Sequence, residues 1–198
     1  MSIPHLQVIL GTTRPGRFSE KVGAWLMDRM GQRDDLSVEL VDLRDHPLPI
    51  YELEVAPARA GREYETAAVR RLGEVLDRAD GYVMVTGEYN HGYSSSLKNA
   101  IDHVFPELHR KPVTFAAYGQ VGGARAVEQL RQVVIELEMA PLRHAVHILP
   151  STLIAAREAD PFSTDVFAEL DPKLDIAVSD LVWWADALAT ARNGGRAR

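Results

Sequence analysis

Between Gly11 and Ser19 the chain reads Gly-Thr-Thr-Arg-Pro-Gly-Arg-Phe-Ser. Hydroxyls at Thr12, Thr13 and Ser19 and guanidinium groups at Arg14 and Arg17 crowd a segment that follows the apolar run Leu6 to Leu10 and precedes a pattern of helical period. Such a segment suits an anion. N–H groups left unpaired at a helix start point outward, the helix dipole favours negative charge there, and Thr, Ser and Arg side chains add donors. The expected ligand carries a phosphate. The same residues also read more simply, as a strand-to-helix turn in which Ser19 is only the N-cap.

The generic nucleotide motifs do not fit this loop. Gly11 to Gly16 has the spacing of a P-loop opening, but Arg17 stands where that motif needs lysine and Phe18 where it needs a magnesium-binding hydroxyl. Thr13 occupies the place of the second glycine of G-x-G-x-x-G, which lets a pyrophosphate approach the backbone.

Two further stretches could complete a site. Gly87-Glu88-Tyr89-Asn90-His91-Gly92-Tyr93 follows an apolar run directly. It can present backbone N–H and C=O groups to the edge of a flat heteroaromatic ring while Tyr89 or Tyr93 covers a face. Tyr118-Gly119-Gln120-Val121-Gly122-Gly123 follows another apolar run, and its glycines allow close backbone approach. A phosphate cradle, an edge-reading loop and a glycine-rich wall together suit a mononucleotide with a planar ring.

The elements that must position these loops alternate. Strands are predicted over Leu6–Leu10, Leu36–Leu43, Gly81–Thr86, Lys111–Tyr118 and, within Ala140–Ile148, around Leu142–Ile148. Helical spacing links Phe18, Val22, Trp25, Leu26 and Met30, and again residues 63–80, 94–104, Gly122 to Met139 and 174–191, the last with Ala177, Leu181, Trp184 and Leu188 inward. Residues 44–62, with Pro47, Pro49, Pro57 and Gly61, read as a long functional loop, and 150–172 as a loose connection. Strand–helix alternation gives an α/β fold with a doubly wound five-stranded parallel sheet of order 2-1-3-4-5, helices on both faces, in one domain over residues 1–191 with a disordered tail at 192–198. In that order the loops after strands one and three meet at the carboxyl edge. The first two chemical stretches are those loops, and the third borders them.

Composition narrows the classes. The chain of 198 residues has no cysteine, which removes thiol catalysis, disulfides and thiolate metal sites. Its net charge of −6 argues against nucleic acid or an anionic membrane as partner. The N-terminus lacks the basic and apolar regions of a signal peptide, and no apolar run nears about 18 residues, so a soluble cytoplasmic protein is expected.

The segments Gly11 to Arg17, Val85 to Tyr93 with Leu97-Lys98-Asn99-Ala100-Ile101-Asp102, and Tyr118-Gly119 with Gly122-Gly123-Ala124-Arg125-Ala126 resemble the NADPH-dependent FMN reductase family of flavodoxin-like fold, in order over residues 6 to about 148. The resemblance implies an FMN-binding oxidoreductase that takes hydride from NADPH and passes electrons to a flavin, quinone, azo dye or similar small acceptor, as a homodimer or homotetramer. It assigns the FMN phosphate to Thr12, Thr13, Arg14, Arg17 and Ser19. Glu88, Tyr89, Asn90 and His91 would follow the ribityl chain and ring edge, and Tyr118, Gly119, Gly122 and Gly123 would close the site. The family usually has proline just before Glu-Tyr-Asn, where this chain has Gly87; without the fixed φ the loop is less preorganised, which bears on flavin affinity rather than on flavin identity. An electron carrier that binds FMN without oxidising NADPH itself is the alternative; such carriers tend to be more acidic than −6.

No acid or base is expected to be indispensable, because hydride transfer is the cofactor's own chemistry. His91 reads as a hydrogen-bonding wall. His144 and His147 fall on opposite faces of a strand, so no metal site is expected. Trp183 and Trp184 are adjacent on a helix, so at least one must reach solvent or another subunit.

Overall fold

The computed structural model describes residues 3–194. β1 (His5–Leu10) lies between β2 (Ser37–Asp42) and β3 (Gly81–Gly87); β3 pairs with β4 (Pro112–Tyr118), and β4 with β5 (Ala140–Pro141) and β6 (Val146–Ile148). All pairings are parallel, giving the order β2-β1-β3-β4-β5 expected from the sequence. The fifth position is filled by two short strands rather than one continuous strand.

Side-chain alternation divides the core in two. Leu6, Val8, Leu10, Val83, Val85 and Tyr118 join the face covered by α1 (Ser19–Gly31) and by the C-terminal helix (Asp171–Asn193). Ile9, Tyr82, Met84, Val113 and Phe115 join the opposite face with Leu72, Leu76, Leu97, Ile101, Leu130 and Val134. Those last six come from α3 (Ala67–Asp77), α4 (Ser95–Asp102) and α5 (Ala124–Glu136). Each fully buried Leu, Val or Phe contributes about 1.5–3 kcal/mol of hydrophobic stabilisation, so the central strands are the rigid part of the molecule.

Several boundaries differ from the expectation. Residues 44–62 are indeed mostly irregular, with one short helix, α2 (Pro57–Ala60). α3 starts four residues later than expected, at Ala67, because the Thr66 hydroxyl accepts from Val69 N–H (3.2 Å) and caps it there. Residues 150–172 are not loose. They form α6 (Pro150–Glu158), a 3₁₀ segment (Thr164–Leu170) and the first turn of α7 (Asp171–Asn193). A few large contacts hold them: Phe167 packs against Trp25 and Phe18 (centroids 5.1 and 6.1 Å), and the Trp25 indole N–H donates to Asp171 (2.9 Å).

The expected tail is partly helix. α7 runs through Asn193, and Arg192 donates to Asp80 (3.0 Å) and to the Arg110 carbonyl (2.8 Å). Residues 195–198 lie outside the described residues. Trp184 does not face inward: Leu174, Ala177, Val178, Leu181 and Ala185 do, and Trp183 and Trp184 are 64% and 40% exposed.

Candidate functional site

β1 runs into Gly11, whose N–H donates to Val85 O (2.9 Å); a Cβ at this position would stand 2.7 Å from that oxygen, so only glycine lets the first loop cross so close to β3. The Gly11 carbonyl accepts from Ser94 Oγ and from Ser96 Oγ (3.0 Å). Ser94 also caps α4, accepting from Leu97 N–H (3.2 Å). The first loop and the start of α4 are thereby stitched together at the carboxyl edge of the sheet.

Beyond Gly11 the backbone N–H groups of Thr13, Arg14, Gly16, Arg17 and Phe18 engage no partner among the described residues. They lead to the N-terminus of α1, which begins at Ser19 with Phe18 as its N-cap residue. Ser19 is therefore not a side-chain cap. Its hydroxyl is buried and bonded to that of Thr12 (2.6 Å), beneath the loop. Thr13 and Arg14 are exposed above, and the Arg14 guanidinium carbon stands 6.0 Å from the centroid of the Tyr89 ring. A run of free amides, an exposed arginine and two hydroxyls at a helix start has the chemistry to receive an anion.

Arg17 departs from its expected role. Its side chain is 1% exposed; it forks onto Asp42 (Nη1 to Oδ1 2.7 Å, with a second bond from Nη2), donates to the Thr12 carbonyl, and pairs with Glu20 (3.1 Å). Its guanidinium is committed to protein acceptors and holds the loop from behind rather than a phosphate. Burial pushes the Asp42 carboxyl upward, but the Arg17 fork and the Arg44 N–H (2.9 Å) outweigh it and hold the group below the usual aspartate range. Arg44 completes the bracing, bonding Glu20 (2.9 Å) and the Arg14 carbonyl (3.3 Å).

The second loop is a tight turn. Tyr89 N–H donates to Gly92 O (2.8 Å) and Gly92 N–H to Tyr89 O (3.0 Å), with Asn90 and His91 both at positive φ (50° and 69°). The two central residues adopt the left-handed pair that a two-residue hairpin turn requires, and asparagine tolerates it best. Asn90 and His91 are exposed, and the His91 carbonyl accepts from Gln129 (3.0 Å). Glu88 is a second correction: its side chain is 4% exposed and bound to Arg125 through Nε (2.7 Å) and the backbone N–H (3.2 Å). It ties this loop to α5 instead of reaching for ribityl hydroxyls.

The third loop begins at Tyr118, whose carbonyl accepts from Glu88 N–H (2.8 Å), so the second and third loops share a seam. Gly119 is partly exposed on the crevice side. Gly122 and Gly123 have φ of 65° and 72°, and a Cβ on Gly123 would stand 2.5 Å from Ala117 Cβ. The chain thus turns into α5 with no side chain on this wall. The Tyr118 hydroxyl is buried and makes no hydrogen bond of good geometry, although Thr12, Ser19 and Tyr89 lie close enough to act on it; burial is the main cause that pushes its pKa up to about 12. Free amides, an orphaned buried hydroxyl and a glycine wall fit a phosphate-bearing planar cofactor such as FMN.

Three other histidines have protein partners. His144 pairs with Asp180 (2.6 Å), His147 bonds the Gly122 carbonyl (3.0 Å), and His103 bonds the Pro49 carbonyl (3.1 Å) beside a cavity of about 360 Å³ under the 49–66 segment. Asn99 satisfies backbone groups of that segment, accepting from Tyr51 N–H (2.9 Å) and donating to Pro49 O (2.8 Å).

Residues 4–152 match the NADPH-dependent FMN reductase family. An NAD(P)H-dependent FMN reductase of Schizosaccharomyces pombe is 34% identical over 161 residues, 80% of this chain and 80% of that protein. A quinone reductase of Escherichia coli K12 is 35% identical over 141 residues, 67% of this chain and 71% of its own length. Among solved structures, the NAD(P)H:(acceptor) oxidoreductase FerB of Paracoccus denitrificans has the same fold, with a TM-score of 0.71 at 22% identity, covering 93% of this chain and 98% of that one. With the family model matched over most of its length, the chain belongs to the NADPH-dependent FMN reductase family and is an NAD(P)H-dependent flavin oxidoreductase.

Proposed function

We propose that the crevice between the Gly11–Ser19, Gly87–Tyr93 and Tyr118–Gly123 loops holds FMN, with its phosphate in the first loop, and serves a small acceptor of the flavin, quinone or azo type. The observation that carries the reading is the run of free amides from Thr13 to Phe18 beside the buried hydroxyls of Thr12, Ser19 and Tyr118. When bound, the flavin supplies the hydride chemistry between nicotinamide and acceptor. This chain's residues bind and orient. Thr13, Arg14 and the first-loop amides take the phosphate, Tyr89 and Asn90 line the ring side, and Gly119, Gly122 and Gly123 let the third loop pack against Glu88, His147 and Ala117 where it closes the crevice. Arg17 and Glu88 position those loops from behind. Equilibrium dialysis of the pure protein should retain FMN at micromolar concentrations, and the loaded protein should oxidise NADPH with a quinone and no partner reductase. Failure to retain FMN overturns the reading.

The exposed His91 has no contact that hydride transfer requires, so His91→Ala is expected to change steady-state turnover less than about tenfold, below the usual range for general acid–base catalysis. A loss of about 100-fold would make it a proton donor. We also infer a homodimer, working in the cytoplasm where nicotinamide is supplied. Tyr51, Ile101, Phe105 and Leu137 line a groove of about 300 Å³ between the 49–58 segment, α4 and the end of α5, and Ile135 beside it is 60% exposed. A second copy covering that face accounts for it. A scattering mass of 22.0 kDa at high concentration would exclude the dimer.

A further inference from the structure

We propose that Gly87 and Tyr118 are a coupled pair, in which the missing side chain at Gly87 lets Tyr118 add its hydroxyl to the donors that hold the flavin phosphate. The inference rests on the flavin reading above and concerns two residues that lie opposite each other in the β3–β4 register.

Two neighbours, Phe18 and Gly87, bound the ring of Tyr118. On one side Phe18 meets it edge-on, centroids 5.1 Å apart and planes at 70°. On the other, a Cβ built on Gly87 would stand 2.8 Å from Tyr118 Cε2, 3.1 Å from Cζ and 3.0 Å from Tyr89 Cε1. Gly87 does not have a positive φ, so its backbone would accept any residue; glycine is required here by space. Any side chain at this position must push the rings of two tyrosines and so displace the Tyr118 hydroxyl.

The hydroxyl so placed has no partner although it is buried, which is a costly state for a polar group. Its polar neighbours are the Thr12 and Ser19 hydroxyls, already bonded to each other at 2.6 Å, and Tyr89. Two bonded hydroxyls use one of their two protons between them. The second proton and that of Tyr118 are donors in want of an acceptor, at the foot of a loop whose amides are also free. A phosphate dianion, with three acceptor oxygens, satisfies them together; the neutral hydroxyl end of riboflavin offers neither the charge nor the number of acceptors.

The test is a double-mutant cycle read as dissociation constants. FMN and riboflavin are titrated into the wild type, Tyr118→Phe, Gly87→Ala and the double variant. Tyr118→Phe should weaken FMN about tenfold or more, as expected for a bond to a charged group, and riboflavin less than about twofold. Gly87→Ala should cause the same selective loss by displacing the ring, and should add nothing to the selectivity in the Tyr118→Phe background. Melting of the ligand-free Tyr118→Phe protein should show no loss of stability, because the hydroxyl has no bond to lose. Unchanged FMN affinity in Tyr118→Phe, equal losses for both flavins, or additive selective losses in the cycle would each overturn the pairing. A wild type that retains neither flavin would instead overturn the flavin reading itself.

Discussion

Arg17→Ala is expected to destabilise the fold by about 3 kcal/mol, the lower end of the cost of breaking a buried ion pair, since Asp42 keeps 20% of its side chain exposed. The loss comes from what remains. Asp42 would keep its place at the end of β2 without its main cation, and the Thr12 carbonyl would lose its donor. Arg17→Lys should recover little, because one ammonium cannot reproduce a fork onto both carboxylate oxygens. For a domain of this size the melting temperature should fall by about 6–12 °C. A pH series adds a signed check. Asp42 is held below the ordinary aspartate range, so the stability it confers is present above that range and is lost as pH falls through its folded, lower pKa. The wild type should therefore lose its advantage over Arg17→Ala only below about pH 4. An Arg17→Ala protein as stable as wild type at neutral pH would mean that the fork is dispensable and the loop is held by other means.

Arg14→Ala is expected to leave the fold intact and to weaken FMN about 10- to 100-fold while sparing riboflavin. Arg14 is exposed and makes its one aromatic contact with Tyr89 at 6.0 Å. A charge-assisted hydrogen bond to phosphate is worth roughly 1.5–3 kcal/mol, which is that factor in affinity. Ser19→Ala should act in the same direction but less, because its hydroxyl is shared with Thr12. Isothermal titration of both flavins gives the comparison directly. Equal losses would show that the loop acts through the ring or through folding, and the phosphate assignment would have to be given up. The two arginines, three residues apart, thus part company: one is measured by melting and the other by ligand affinity.

That division was not legible in the sequence. Both arginines read as phosphate donors because both sit in the loop, and Asp42 is 25 residues from Arg17 and becomes its neighbour only when β2 docks beside β1. The same holds for Glu88, claimed by Arg125 across 37 residues. What was legible is what short-range pattern encodes: β1, β3 and β4 as near-continuous apolar runs, α1 and α5 as apolar stripes, and hence the sheet order that brings the three loops together. Residues 150–172 failed that test because their order depends on a few anchors, Phe167 and Leu170 among them, spread over segments too short for a period to show. Gly87 was misread in a different way. The sequence shows a glycine where a rigid residue is usual and suggests slackness, whereas the surrounding tyrosines turn it into a tightly filled position.

The C-terminal helices bear on where this protein could be divided. The family match stops at residue 152, ahead of most of α6 and all of α7. Yet Leu174, Val178 and Leu181 share one core with Leu6, Val8 and Val83, and Leu181 comes close enough to β3 that a Cβ on Gly81 would stand 3.3 Å from it. A chain ending at 152 would lay bare the part of that face which α7 covers beside α1, including the apolar surface of β3 and β4. The boundary drawn by ancestry and the boundary drawn by cooperativity are therefore different, and residues 153–194, remote from the crevice in sequence, are part of the smallest unit able to hold it in shape.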